Sequence, residues 1–187
     1  MSRYIIVEGL HSYSSDEKMF LKQWVNGNAF YTKVRNEYKN KNPNRVLEKM
    51  FSTYDSKYAK NIPIYRGLSF NKNNPKEVEL YQELYNYFLE SFECKDNVVA
   101  DFAPASFSLQ DNVANKFSKN EDKDYLSIIF KIHIRMMNEI DVCSNEVAMK
   151  SIYFNENELL IKFNKMIFTI LNLSEKNDIL EVSLKEV

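Results

Sequence analysis

The sequence predicts an α+β fold in a single domain. Apolar residues recur at helical spacing through the first sixty residues, whereas the last ninety contain short apolar runs rich in β-branched and aromatic residues, which are typical of strands. A chain of 187 residues with 44% hydrophobic content is long enough for one core and short for two. We therefore expect one domain over residues 1–187, with a helical lobe at about 14–60 and a β-rich core at 61–187.

Three helices are predicted in the lobe. Ser14 and Glu17 have the spacing of a capping box and precede a first apolar-periodic stretch, which ends at a break at 26–28. Helical periodicity then resumes until the polar run 40–44, and a third helix is expected over 45–54.

The rest of the chain is predicted to be strands with two helices between them. The residues from Glu77 to about Phe92 show one broad apolar face at helical spacing, and a shorter helical pattern runs from Asp111 to Lys119. The other apolar runs are short and rich in residues that favour strands. The predicted helices are 77–92 and 111–119, and the predicted strands are 64–68, 97–102, 105–109, 126–134, 146–153, 158–161, 166–171 and 179–184.

Charge and cysteine content narrow the classes of function. The 25 basic and 26 acidic residues give a net charge of −1, which provides no global field to attract nucleic acid or an anionic membrane. Cys94 and Cys143 fit neither a disulfide scaffold nor a zinc site, so we expect free thiols and no metal. Since we find no signal-peptide core and no run near the roughly 18 apolar residues of a membrane span, we expect a cytoplasmic protein without a membrane partner.

Three short polar motifs interrupt the apolar runs. The first is Tyr65-Arg66-Gly67, in which the planar fork of the arginine suits a diphosphate and the glycine would let a ligand approach the backbone. Taken alone, Arg66 is better explained by a salt bridge to a neighbouring glutamate. The second motif is Ser106-Phe107-Ser108, and the third is Tyr153-Phe154-Asn155-Glu156-Asn157-Glu158.

The second and third motifs each place two like side chains two residues apart. On a strand, Ser106 and Ser108 would therefore point to one face, and Glu156 and Glu158 would stand side by side. Two neighbouring carboxylates raise the pKa of at least one of them, which supplies a base and a charge stabiliser from one residue type. Taken alone, each pair is better explained by a solvated surface.

In this order, the motifs resemble the arginine, serine and glutamate signature of mono-ADP-ribosyltransferases of the phage or bacterial toxin type. A Val-Ala-x-x-Phe helix follows the serine motif, and the third motif looks like that family's toxin-turn loop running into its Glu-x-Glu pair. One departure is Phe107, where many members have threonine. The resemblance covers about residues 20–184. It implies a helical lobe packed on two facing, mostly antiparallel sheets that form an NAD cleft, and transfer of ADP-ribose from NAD with release of nicotinamide.

The resemblance also assigns a role to each motif residue. Glu158 would hold the ribose 2′-hydroxyl and oppose the positive charge that develops as the glycosidic bond breaks, and Ser106 would orient Glu158. Glu156 would act as general base for an arginine acceptor, which Tyr153 would flank. The expected NAD-binding residues are Arg66 at the diphosphate, Gly67 at the nicotinamide amide, Ser106 and Ser108 in the pocket, and Arg135 as a second phosphate ligand.

The expected acceptor is a target protein, with arginine favoured, and a nucleic-acid acceptor is left open. Two alternatives remain: an NAD glycohydrolase with water as acceptor, and a noncatalytic interaction module with the same fold. The size of the chain resembles phage-encoded intracellular transferases that modify host proteins, and a secreted toxin or effector comes next.

Overall fold

Helices dominate the start of the chain and strands dominate its end in a computed structural model of the protein. The structure describes residues 14–26, 28–53, 63–100, 104–119, 121–134, 141–144, 158–162 and 166–187. Within these ranges the chain forms five helices and eight strands, which confirms the predicted α+β class.

Three of the described helices precede the first strand, and the other two lie between strands. The helices are α1 (Ser15–Asn26), α2 (Asn28–Lys39), α3 (Arg45–Thr53), α4 (Pro75–Cys94) and α5 (Asp111–Ser118). The strands are β1 (Pro63–Asn71), β2 (Asn97–Ala100), β3 (Ala105–Ser108), β4 (Tyr125–His133), β5 (Asp141–Ser144), β6 (Glu158–Lys162), β7 (Met166–Lys176) and β8 (Ile179–Glu186).

All five predicted helices are confirmed, and so is every predicted strand within the described residues. The strand expected at 146–153 lies outside them. The prediction missed β5 and ended β7 at Leu171, five residues before its last residue. β5 is only four residues long, and the end of β7 is mostly polar and shows no alternating apolar pattern.

The capping box at the start of α1 is present. The backbone N–H of Ser14 donates to Oε2 of Glu17 at 2.8 Å, and the backbone N–H of Glu17 donates to Oγ of Ser14 at 3.4 Å. Two N–H groups at the helix start, which have no partner inside the helix, are thereby satisfied. The cap explains why the first helix begins where the sequence predicts it.

The chain divides into two compact units, each made of three chain segments. The first contains Met1–Lys60, Asp101–Ser106 and Met136–Asn164, and the second contains Asn61–Ala100, Phe107–Arg135 and Lys165–Val187. The first unit thus adds two later segments to the helical region. The single domain with a boundary near residue 60 stays a prediction of the sequence.

The core of the first unit joins the three N-terminal helices to β6. Eight buried side chains form this cluster, and one of them, Leu160, belongs to β6. β5 pairs with β6 in antiparallel register, from Asp141 opposite Lys162 to Ser144 opposite Leu159. The helical members of the cluster are Phe20, Leu21, Trp24, Val34, Leu47, Met50 and Phe51.

The second unit contains a mixed sheet in the order β2-β7-β8-β4-β1-β3. Neighbouring strands are antiparallel except β4 and β8, which run parallel from Ser127 opposite Ile179 to His133 opposite Lys185. The predicted predominance of antiparallel pairing is therefore correct for this unit. β7 and β8 form a hairpin whose two loop residues, Asn177 and Asp178, have φ of 52° and 64°. Positive φ at both loop positions is the requirement of a type I′ turn, which matches the twist of a hairpin.

Two helices pack on opposite faces of this sheet. On one face, α4 makes edge-to-face ring contacts from Phe88 to Phe130 at 5.5 Å and from Tyr81 to Phe70 at 5.6 Å. On the other face, Oγ of Ser127 donates to the carbonyl oxygen of Ser118, the last residue of α5, at 2.6 Å. Since side chains alternate along a strand, the two helices together bury both faces of β4 from Ser127 to Phe130.

Candidate active site

Arg66 lies in the middle of β1, directly opposite Phe130 of β4. Its guanidinium carbon stands 5.5 Å from the centroid of the Phe107 ring in the neighbouring strand β3. Phe107 is buried, with 3% of its surface exposed, so its ring is held in place by the residues around it. A cation over an aromatic face is attracted by the ring quadrupole, so the ring of Phe107 and the guanidinium of Arg66 stabilise each other.

Gly67 faces helix α5. A Cβ atom at this position would collide with the carbonyl oxygen of Ala114 and would stand 2.7 Å from the backbone nitrogen of Ser118. The sequence predicted that a ligand would approach the backbone here. On the side where a Cβ would project, the backbone of α5 lies close to Gly67. The glycine is therefore explained by close packing of helix on strand.

Ser108 ends β3 and leads into α5. It is 4% exposed, it lies opposite Tyr65 in the sheet, and its Oγ accepts a hydrogen bond from the backbone N–H of Gln110 at 3.0 Å. Gln110 is the N-terminal cap of α5 and has no capping bond from its own side chain. The hydroxyl of Ser108 thus fixes the turn that places α5 against Gly67.

Ser106 belongs to the first unit and is bound to a helix of the lobe. Its Oγ accepts a hydrogen bond from the indole Nε1 of Trp24 at 3.0 Å. Trp24 is 4% exposed, and its ring lies 4.7 Å from the ring of Tyr31. A buried donor from α1 therefore holds the first hydroxyl of the serine motif.

Comparison with known proteins gives one consistent result. No protein-family model matches the chain, and no curated protein matches it significantly. Among solved structures, C3stau2 from S. aureus with NAD matches at a TM-score of 0.58 and 12% identity, over 94% of this chain and 88% of that one. The Clostridium limosum C3 exoenzyme matches at 0.57 and 15%, over 94% and 87%. The fold is that of the ADP-ribosyltransferases.

A third structure with the ADP-ribosyltransferase fold is Vis in complex with agmatine, where Vis is a toxin from Vibrio splendidus. It matches at a TM-score of 0.55 and 16% identity, over 95% of this chain and 77% of that one. The fold is thus shared over nearly the whole chain, although the sequences have diverged far.

The last polar motif is described only at its final residue. Glu158 is the first residue of β6, whose third residue, Leu160, is anchored in the core of the first unit. Glu156, Tyr153 and Arg135 lie outside the described residues, so their roles stay predictions.

Two neighbours of the motif residues were not predicted. No sequence pattern connects Trp24 with Ser106, because 82 residues separate them. Phe107 could have been found, since alternation along β3 puts it on the face opposite the serines and β1 is the neighbouring strand.

Near the start of α5, burial raises the pKa of Tyr65, and Asp111 raises it further, so its hydroxyl stays neutral at physiological pH.

Within the part of the chain that the structure describes, no group of three or more His, Cys, Asp or Glu side chains could hold a metal ion. None of the described helices is long and apolar enough to cross a membrane. His133 lies on β4, where burial, Lys131 and Lys185 together lower its pKa, so it is uncharged at neutral pH.

Proposed function

We propose that the protein transfers ADP-ribose from NAD to an arginine side chain of a target protein and releases nicotinamide. The observation that carries the proposal is the ADP-ribosyltransferase fold over more than nine tenths of the chain, shared with a structure that contains NAD. The arginine, serine and glutamate motifs support it, because Arg66, Ser106 and Glu158 lie on the strands β1, β3 and β6 of that fold.

The chemistry follows from the bond that must break. Cleavage of the bond from the ribose carbon to the nicotinamide nitrogen leaves its electron pair on nicotinamide and positive charge on the sugar. Glu158 opposes that charge and accepts a hydrogen bond from the ribose 2′-hydroxyl, and Ser106 orients the carboxylate. Arg66 binds the diphosphate through charge-assisted hydrogen bonds, with Arg135 as a second phosphate ligand. Gly67 and Ser108 complete the proposed NAD site, and the cleft between two facing sheets stays a prediction of the sequence.

The acceptor must lose a proton to form the new bond. In the proposed reaction, Glu156 removes a proton from the guanidinium of the target arginine as its nitrogen attacks the ribose carbon. Tyr153 flanks the incoming side chain. Vis has been crystallised with agmatine, a small guanidinium compound, which supports a guanidinium acceptor for this fold. Host-protein modification by a phage-encoded enzyme, and the alternative of a secreted toxin, stay predictions of the sequence.

The decisive experiment combines labelled NAD, a cell lysate and three protein samples. We expect the wild type to label protein bands and to release nicotinamide, and we expect Glu158→Ala to do neither. Glu181→Ala is the matched control, because it removes one exposed carboxylate from β8 and leaves the motifs intact. If the wild type releases no nicotinamide and labels nothing, the enzyme hypothesis is wrong and the noncatalytic module is favoured.

A second variant tests the acceptor. With agmatine as acceptor, Glu156→Gln should abolish transfer and leave nicotinamide release to water intact, since only the transfer needs a base for the guanidinium. Equal loss of both reactions would contradict the assignment of Glu156. Nicotinamide release without transfer in the wild type would favour the NAD glycohydrolase.

A further inference from the structure

The hydrogen bond from Trp24 to Ser106 determines how the serine hydroxyl can be used. An indole N–H only donates, so the Oγ of Ser106 is the acceptor in the 3.0 Å contact. A hydroxyl has one proton to donate, and the bond from Trp24 leaves that proton pointing away from the indole. The hydroxyl is therefore arranged to donate to a second group.

The donor itself is buried and packed between aromatic rings. Trp24 is 4% exposed, its ring is stacked on Phe20 at 6.0 Å, and it packs on Tyr31 from α2. A buried hydrogen bond has little competition from water, and each bond in a chain strengthens the next. A hydroxyl that accepts from Trp24 is consequently a stronger donor to its own partner.

The same core also anchors the strand that begins with Glu158. Leu160 of β6 is 1% exposed and belongs to the cluster that contains Trp24. Trp24 thus binds the serine that is proposed to orient the carboxylate, and the cluster to which it belongs also contains a residue of the strand that carries the carboxylate. All three residues lie in the first unit.

We propose that Trp24 is a positioning residue for the transfer reaction: its N–H directs the hydroxyl proton of Ser106 towards the carboxylate of Glu158. This inference rests on the proposed function and adds to it a link from the helical lobe to the catalytic glutamate. Trp24 acts through Ser106 and touches neither NAD nor the acceptor.

The test is a double-mutant cycle on nicotinamide release. Trp24→Phe keeps an aromatic ring in the core and removes only the N–H and part of the ring volume. In the wild-type background we expect kcat to fall about tenfold with little change in the KM for NAD, because misorientation of a reacting group lowers the rate of the chemical step. In the Ser106→Ala background the same substitution should have no further effect, because its target is absent.

Phe51→Leu is the structural control. Phe51 is 7% exposed in the same core and is expected to affect stability without affecting kcat. A second readout is independent of activity: Trp24 is the single tryptophan of the chain, so Ser106→Ala should shift the tryptophan emission to shorter wavelength as the indole N–H loses its acceptor.

Each outcome decides between the hypotheses. An equal loss of kcat from Trp24→Phe in both backgrounds, or an equal loss from Phe51→Leu, would show that Trp24 only supports the core and would overturn the inference while leaving the proposed function standing. A wild type that releases no nicotinamide would overturn both.

Discussion

Replacement of Gly67 by alanine should strongly destabilise the protein. The added methyl group would meet two backbone atoms of α5, the carbonyl oxygen of Ala114 and the nitrogen of Ser118, the latter at 2.7 Å. Relaxed contacts between such atoms lie at about 3.5 Å, so α5 would have to move by roughly 0.8 Å or more away from β1. Backbone atoms cannot rotate aside as a side chain can.

The helix is also fixed at both ends, which raises the cost of such a movement. Ser108 holds the turn before α5. A displacement of Ser118 would break the 2.6 Å hydrogen bond that the Oγ of Ser127 donates to its carbonyl oxygen. Overpacking by one methyl group costs about 1–3 kcal/mol, and we expect the upper end of that range, about 3 kcal/mol. The expected result is a lower urea midpoint with an unchanged m-value.

The measurement is urea unfolding followed by far-UV circular dichroism. Ser69→Ala is the matched control, because it lies on the same face of β1 and adds no atoms; its free energy of unfolding should stay within about 0.5 kcal/mol of the wild type. Ala114→Gly should not rescue Gly67→Ala, because the clash involves the carbonyl of Ala114 and not its methyl group. A Gly67→Ala protein as stable as the wild type would refute the close packing of α5 on β1.

Three further substitutions test separate contacts. Ser14→Ala should lower the free energy of unfolding by about 1 kcal/mol in urea titrations, because it removes one half of the capping box; no change would mean that α1 is capped differently. Tyr81→Phe should leave the free energy of unfolding unchanged or raise it, because no described group accepts a hydrogen bond from the buried Tyr81 hydroxyl. Burial also raises the pKa of Tyr81 to about 12, so the free energy of unfolding of the wild type should fall between pH 10 and 12 relative to that of Tyr81→Phe. Phe107→Leu should raise the KM for NAD about 5- to 30-fold, because it removes about 1–2 kcal/mol of cation–π attraction on Arg66, whereas Phe107→Tyr should not; equal KM values would contradict the contact.

The sequence predicted the helices well because their signals are local. Ser14 and Glu17 are three residues apart, and their two hydrogen bonds form within one helical turn. The ordering of Arg66, the serine motif and Glu158 along β1, β3 and β6 was also predicted, because alternation and apolar runs mark strands without reference to their partners. The three motifs, read together, led to the fold that the solved structures share.

The remaining features depend on partners that are distant in the sequence. β5 is four residues long with polar ends, and it is a strand because β6 pairs with it. β7 continues to Lys176 because β8, which begins after the turn at Asn177 and Asp178, pairs with β7 as far as this residue. The parallel pairing of β4 with β8 is likewise set by the sheet, since no turn connects two parallel neighbours directly.

The sequence by itself determined the α+β class, the helix starts and which residues are candidates for the proposed reaction. Only the tertiary structure decided what those residues contact: α5 fills the space that Gly67 leaves open, the ring of Phe107 supports Arg66, and Trp24 holds Ser106 across 82 residues. The physical reason is the range of the interactions. Capping and alternation act within one turn or one strand, whereas packing and hydrogen bonding at the site join segments whose proximity exists only after the chain has folded.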